Sequence, residues 1–410
     1  MHNRAEQARA GQISTGRSSA GRTGAEQNGA GRRRTEQQAT GSRALLGAAA
    51  LPALLLAALA GTGSAGAQAA PPCGGTPGVP GWARTAAYRG TLGTLPIALQ
   101  LTPGRFESRY FYERRSLDIS LEEFRSGEQL ILQETVRLAR GGDSVVTGCF
   151  TLMPAATGLK GTWQAPGGRA AQPVTLNALN ALNLPLNLPS SPGLQRLRRD
   201  DPLAFLKFNR TWVRSASSVR EPLSGLSYPR VANASGPLNA ALQDRLLENA
   251  VSALDCRSML PQDLQSGDGA GYELQAAVTL QRTRLLSLRE DVYYDCGGAH
   301  PDNYSLGLIL DRATGREVSP AAIWPKLTAA RQQSLYMTGV RRQVEADCLD
   351  VLTQSTLDFT ANLTPAGLNL TPTSLPHVAA ACAETVVIPY AALRPDANAA
   401  SPYFPDLYAR

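Results

Sequence analysis

Lysine is almost missing from this chain of 410 residues: Lys160, Lys207 and Lys326 stand against 37 Arg. A bias of that kind reflects genomic base composition more than chemistry. Histidine is as scarce. After His2 only His300 and His377 remain, whereas a zinc centre needs roughly three or four suitable ligands. No C-x-x-C occurs, which removes dithiol redox catalysis and zinc ribbons. No G-x-S-x-G occurs, so no serine sits on a hydrolase elbow. The Gly267–Gly271 loop lacks the Lys of a phosphate-binding loop and follows a helical pattern where a strand is required. The acidic run PQDLQSGDG (261–269) lacks the closing Glu of a calcium loop. No metal and no other cofactor is expected.

A strong field of one sign is also lacking. The formal charge is +7, but residues 1–69 hold eight Arg and three Glu, and the rest carries only about +2 with Arg and acids interspersed. Nucleic-acid binding needs a clustered basic surface and is not expected. Residues 1–43 have almost no large apolar side chain and cannot bury a core. The apolar run Ala44–Ala60 is short for the roughly 20 residues of a membrane helix, rich in Ala, and carries Pro52. Small residues follow, ending in Ala67-Gln68-Ala69. Residues 1–69 therefore read as a disordered n-region and a secretory signal, with cleavage after Ala69 and export to periplasm, envelope or exterior. Retention of Ala44–Ala60 would instead make a membrane-anchored protein.

All six Cys, at 73, 149, 256, 296, 348 and 382, follow that point. An even count in an exported chain implies disulfides. Cys73 and Cys149 fall alone in the first half and are expected to pair. For the other four we expect Cys256–Cys296 and Cys348–Cys382, among the alternatives that four Cys allow.

Residues 84–177 read as a small all-β domain. Short runs such as Ile97–Leu101, Tyr110–Tyr112, Leu130–Glu134, Val145–Leu152 and Leu159–Trp163 alternate with Gly-rich turns, as in an antiparallel sheet or small barrel. Their aromatic residues are expected to fill the core; a carbohydrate-binding face is the alternative. Residues 178–225 read as a linker, because NALNALNLPLNLPSSPG is low in complexity, although its Leu content suggests packing. From 226 to 405 the pattern is α+β. LSYPRV (226–231) is a strand, and Pro237–Leu254 repeats Leu and Val at three- and four-residue spacings. Tyr272–Leu280, Arg284–Tyr294 and Tyr304–Asp311 are further strands, with a hairpin signal at Asp311–Gly315. Ala329–Leu349 is a second helix, and Leu357–Asn362, Gly367–Thr371 and Thr385–Tyr390 close the domain. The expected class is α+β: an antiparallel all-β module, then an antiparallel sheet with helices on one face.

The order SRYFY (108–112), L-x-L, L-x-L-x-E, T-G-x-F and L-x-G-T-W resembles a small β module of exported bacterial proteins. More specific is YYDCGGAHPDNYSLGLILDRATGREV (293–318), where a G-G-A-H turn precedes D-x-x-T-G-R. With LSYPRV, the helix, LTPAGLNL (363–370) and VVIPYAALRPD (386–396), residues 226–396 resemble the extracytoplasmic domain of the RsiV family of lysozyme-sensing anti-sigma factors. The same domain accompanies some exported peptidoglycan deacetylases. The resemblance implies an extracytoplasmic module that binds a peptidoglycan fragment or a lysozyme-like protein. A sigma-binding helix is not visible in residues 1–43, and a deacetylase domain lacks its His.

Around the turn, Tyr294, Gly297, Gly298, His300, Asp302 and Tyr304 are the expected binding residues, beside a groove. His300 is the most conspicuous titratable group. Beside Asp302 it has the makings of a carboxylate-oriented base, and with Glu290 and nearby Ser305 it defines a hydrolase alternative. We expect it instead to hydrogen-bond around the Gly-Gly turn, and His377 to be packed or exposed. The leading expectation is a non-catalytic binding protein of the cell envelope. A membrane-anchored stress sensor and a hydrolase using His300 and Asp302 are the alternatives.

Overall fold

A computed structural model describes residues 71–105, 107–265 and 271–408. The apolar run Ala44–Ala60, the cleavage point after Ala69 and most of the Gly267–Gly271 loop lie outside the described residues.

The first half is built from nine strands: β1 (Thr76–Pro77), β2 (Ala86–Leu92), β3 (Leu95–Leu101), β4 (Arg109–Tyr112), β5 (Ile119–Ser126), β6 (Gln129–Arg137), β7 (Ser144–Ala155), β8 (Gly158–Gln164) and β9 (Gln172–Ala178). From β2 onward each strand pairs antiparallel with its sequence neighbour, and β9 pairs back to β2. The result is an up-and-down barrel with β1 added beside β5. Alternation explains it: Ile97, Leu99, Leu101, Leu130, Leu132, Phe150 and Leu152 are fully buried inside. Closure removes the open edges that a flat sheet would leave. The aromatic residues do fill the core, with Tyr110 and Phe150 fully buried. One carboxylate lies in this interior. Glu134 accepts hydrogen bonds from Tyr110 Oη (2.7 Å), Thr147 Oγ1 (2.7 Å) and Trp163 Nε1 (3.0 Å), so it is buried without an orphaned oxygen.

The stretch 178–225, read as a linker, is packed structure. It forms α1 (Pro192–Asp200), α2 (Pro202–Phe208), β10 (Val213–Arg214) and β11 (Ser218–Arg220), the last paired with β12 (Ser227–Pro229). Ser191 and Asp201 cap the two helices, each with Pro in the first turn. Asn residues act as backbone partners: the Asn187 N–H donates to Asn209 Oδ1 at 2.7 Å, and Asn187 Nδ2 donates to the Asn209 carbonyl at 2.8 Å. α2 lies on the outside of the barrel, where Leu203 packs with Ala87, Ala98 and Phe111. Lys207, 3% exposed, pairs with Asp118 at 2.7 Å and lies over the Phe111 ring. Its buried ammonium is thus matched by a carboxylate and an aromatic face.

The second half centres on α3 (Gly236–Met259). Ser235 caps it, and Leu238, Leu242, Leu246, Ala250 and Leu254 form its buried stripe. This stripe packs on one face of an antiparallel meander of β13 (Gly271–Gln281), β14 (Leu285–Asp295) and β15 (Asp302–Asp311). A second core joins the other face, at Leu285 and Ile309, to the sheet of β16 (Phe359–Leu363), β17 (Gly367–Pro372) and β18 (Val386–Pro389). Gly307 is where the two sheets touch: a Cβ there would sit 2.3 Å from the Ala361 carbonyl oxygen. The class is α+β, as expected.

The single helix expected over Ala329–Leu349 is two. After the short α4 (Pro320–Ile323) come α5 (Ala329–Val340) and α6 (Ala346–Gln354). Tyr336, Val340 and Leu352 are the buried positions. On one continuous helix Leu352 would be rotated about 120° from Val340, so both reach the core only if the helix breaks between them.

All three expected disulfides are formed: Cys73–Cys149, Cys256–Cys296 and Cys348–Cys382. Among the described residues no helix is long and apolar enough to cross a membrane.

Candidate functional site

The turn between β14 and β15 is fixed from three sides. Cys296 is bonded to Cys256 on α3. Gly297 adopts φ +79°, the region that favours glycine, and its N–H donates to Asp295 Oδ1 at 3.2 Å. The third restraint comes from the barrel. Arg137 Nη1 donates to the Gly297 carbonyl at 3.0 Å, and Arg140 Nη2 pairs with Asp295 at 2.7 Å. Gln262 N–H donates to the Arg137 carbonyl at 3.0 Å and continues the docking. Gly297 is thus a contact between the two halves of the chain.

The hydrogen bond from Arg140 holds the Asp295 carboxyl below its ordinary value, against a smaller opposing effect of burial. A depressed carboxyl stabilises the fold above its unfolded value, about 4. That contribution is lost as pH falls through the lower folded value. Asp295→Asn is therefore expected to destabilise the protein at pH 7 and to lose its deficit as urea melts are repeated at progressively lower pH. An unchanged deficit in acid would contradict the pairing.

The even-numbered residues of β14 and β15 face α3, and the polar ones among them are held by hydrogen bonds. Tyr294 and Asp302 are cross-strand partners, with the phenol donating to Asp302 Oδ2 at 3.0 Å. Burial, then Asp302, pushes the Tyr294 hydroxyl up to about 12. Tyr304 shares a 2.8 Å hydrogen bond with Tyr272, and Tyr272 donates to Asn249 Oδ1 at 2.8 Å. Asn249 donates to Glu290 Oε2 at 3.3 Å. Glu290 is fully buried, gripped by both ends of the Arg245 guanidinium, and accepts from Tyr228 Oη at 2.6 Å. Burial and the adjacent carboxylate push the Tyr228 hydroxyl up.

His300 and His377 stack with ring centroids 4.0 Å apart. One nitrogen of each lies 3.2 Å from the Pro301 carbonyl oxygen, and His377 Nε2 is 3.8 Å from Asp302 Oδ1. His377, which the sequence left as merely packed or exposed, is the partner of His300. Among the described residues no three or more of His, Cys, Asp and Glu are placed to hold a metal.

Of the groups of the hydrolase alternative, Glu290 and Ser305 are held apart from Asp302. Glu290 lies opposite Leu306 whereas Asp302 lies opposite Tyr294, four positions further along β14. Ser305 is three residues from Asp302 and so points to the other face of the sheet. There its Oγ donates to Asp291 Oδ1 at 2.5 Å and accepts from Arg289 at 3.1 Å. Two cavities lie elsewhere than the expected groove beside the 296–304 turn. One, of about 300 Å³, is lined by Gln100, Arg105, Arg109, Asp200 and Asp201. The other, of about 70 Å³, lies between Arg89, Phe111 and Arg210.

Residues that reach solvent on these strands include the odd-numbered Tyr293 and Asn303, with Glu273 and Gln275 on β13. Strict alternation from the buried Leu286, Leu288 and Val292 was the available signal for them.

Among solved structures the chain is similar to a DUF3298 family protein from Pseudomonas aeruginosa PAO1, at 19% identity over 44% of this chain and 83% of that one, TM-score 0.28. It is also similar to a member of the same family from Bacteroides fragilis NCTC 9343, at 12% identity over 71% of this chain and 98% of that one, TM-score 0.30. No family model and no curated protein matches the chain.

Proposed function

We propose that the chain is a non-catalytic, exported cell-envelope protein that binds a wall component or a lysozyme-like protein through residues 226–405. One observation carries the reading: the carboxylates of the turn and of the strand leading into it serve internal contacts. Glu290 is locked by Arg245, Tyr228 and Asn249, Asp295 by Arg140, and Asp302 by Tyr294. A general acid or base needs a free path to the proton it moves. Three disulfides fit an oxidising compartment.

The test is calorimetric titration of the oxidised chain with solubilised peptidoglycan fragments and, separately, with a lysozyme. Release of new reducing ends or amines is followed in parallel. Saturable binding to either, without turnover, is the expected result. Consumption of the fragments, or no binding to either, would overturn the proposal.

A further inference from the structure

The strand register lays out a second face on the β13–β15 meander, opposite the network under α3. Cross-strand pairing puts Glu273, Tyr293 and Asn303 in one row. Gln275, Asp291 and Ser305 form the next, and Ala277, Arg289 and Gly307 the third. Rows are about 7 Å apart and strands about 5 Å apart. The third row ends where β16 meets Gly307, and the first two rows are open. Tyr293 is 40% exposed, and Glu273, Gln275 and Asn303 are exposed beside it.

The middle of this face is wired in advance. Arg289 Nε lies 2.9 Å from both Asp291 oxygens, Nη1 donates to Thr385 Oγ1 at 2.8 Å, and Nη2 donates to Ser305 Oγ at 3.1 Å. Burial pushes the Asp291 carboxyl up, but the hydrogen bonds from Arg289 and Ser305 outweigh it and hold the carboxyl low. Donors and acceptors therefore stand in place before any ligand arrives, which removes much of the ordering cost of binding.

The charge on this face selects among occupants. Arg289 and Asp291 neutralise each other, leaving Glu273 as the only further charge among the nine positions. Among these nine positions there is no cluster of positive charge to collect a polyanion or an anionic membrane. Nor is there the cluster of large apolar anchors that concentrates binding energy in protein interfaces. What is offered is one flat ring with a polar edge, flanked by amides, a hydroxyl and fixed charged groups. That set matches a ligand with apolar C–H faces and many hydroxyls.

We propose that this face is a binding platform for an uncharged glycan strand, with Tyr293 stacking on a sugar ring and Gln275, Asn303, Asp291 and Arg289 meeting its hydroxyl and amide groups. It rests on the reading that residues 226–405 bind an envelope component, and it names the chemistry recognised. The probe is an N-acetylglucosamine hexamer, titrated at millimolar concentration into the oxidised full chain and into Tyr293→Ala and Tyr293→Phe. Both variants are surface changes whose melting curves check the fold. Tyr293→Ala is expected to weaken binding by at least about tenfold, and Tyr293→Phe, which keeps the ring, by less than about threefold. Equal binding by the wild type and Tyr293→Ala would overturn the platform. So would failure of the hexamer to bind while solubilised wall fragments or lysozyme still do, and then the broader proposal stands. Loss of all three interactions would remove both.

Discussion

Arg245→Ala is expected to lower the unfolding free energy at pH 7 by about 3–5 kcal/mol, the usual effect of stripping one partner from a buried ion pair. Glu290 has no exposed surface, and Arg245 supplies both of its charged contacts. Without the guanidinium, Tyr228 and Asn249 still donate to the carboxylate, but its charge is uncompensated among Leu286, Leu288 and α3. The double variant Arg245→Met with Glu290→Gln should recover a large part of the loss, because the pair's own net contribution is small. Urea melts of the wild type, the two single variants and the double variant measure this. A cost below about 1 kcal/mol for Arg245→Ala would show that water reaches Glu290, reopening it as an acid–base group.

Replacing Cys73 and Cys149 together by Ser is expected to cost about 4–5 kcal/mol. The bond closes a separation of 76 residues, against 40 and 34 for the other two, and loop closure grows with the logarithm of length. The other pairs should cost slightly less each, roughly 4 kcal/mol. Any two losses together approach the whole stability of an ordinary domain, about 5–15 kcal/mol. Thermal melts of the three double-Ser variants, beside the wild type with and without reductant, give the comparison. A fully reduced chain that melts where the oxidised one does would remove the argument that the fold depends on an oxidising compartment.

Much of this architecture was legible in the residues. α3 was visible because its Leu positions keep one stripe through five turns, and the barrel strands because Ile97, Leu99 and Leu101 alternate with neighbours of another face. Barrel closure is a long-range pairing of β9 with β2 and leaves no local mark. The segment 178–225 was misread because low complexity hid a specific use of Asn187 and Asn209 as backbone partners. The break between α5 and α6 was missed because apolar residues continue through it; only the rotation between Val340 and Leu352 betrays it. Of the candidate binding residues, those on the strands lie on the face turned toward α3. Tyr294, Asp302 and Tyr304 are one position out of phase with the exposed Tyr293 and Asn303, and a one-residue step inverts every side chain of a strand. His377 could not be tied to His300 from sequence, since the two stack across a sequence separation of 77 residues.

The most direct test of the account is a hydrogen-exchange footprint of the oxidised chain, alone and with solubilised wall fragments or a lysozyme, at neutral pH. Protection is predicted over β13, the end of β14 and the start of β15, where Gln275, Tyr293 and Asn303 reach solvent. The segments carrying Arg245, Asn249 and Glu290 should change little, because they are already closed. Protection confined to the barrel, or a footprint identical with and without both ligands, would contradict the claim that residues 226–405 carry the binding surface.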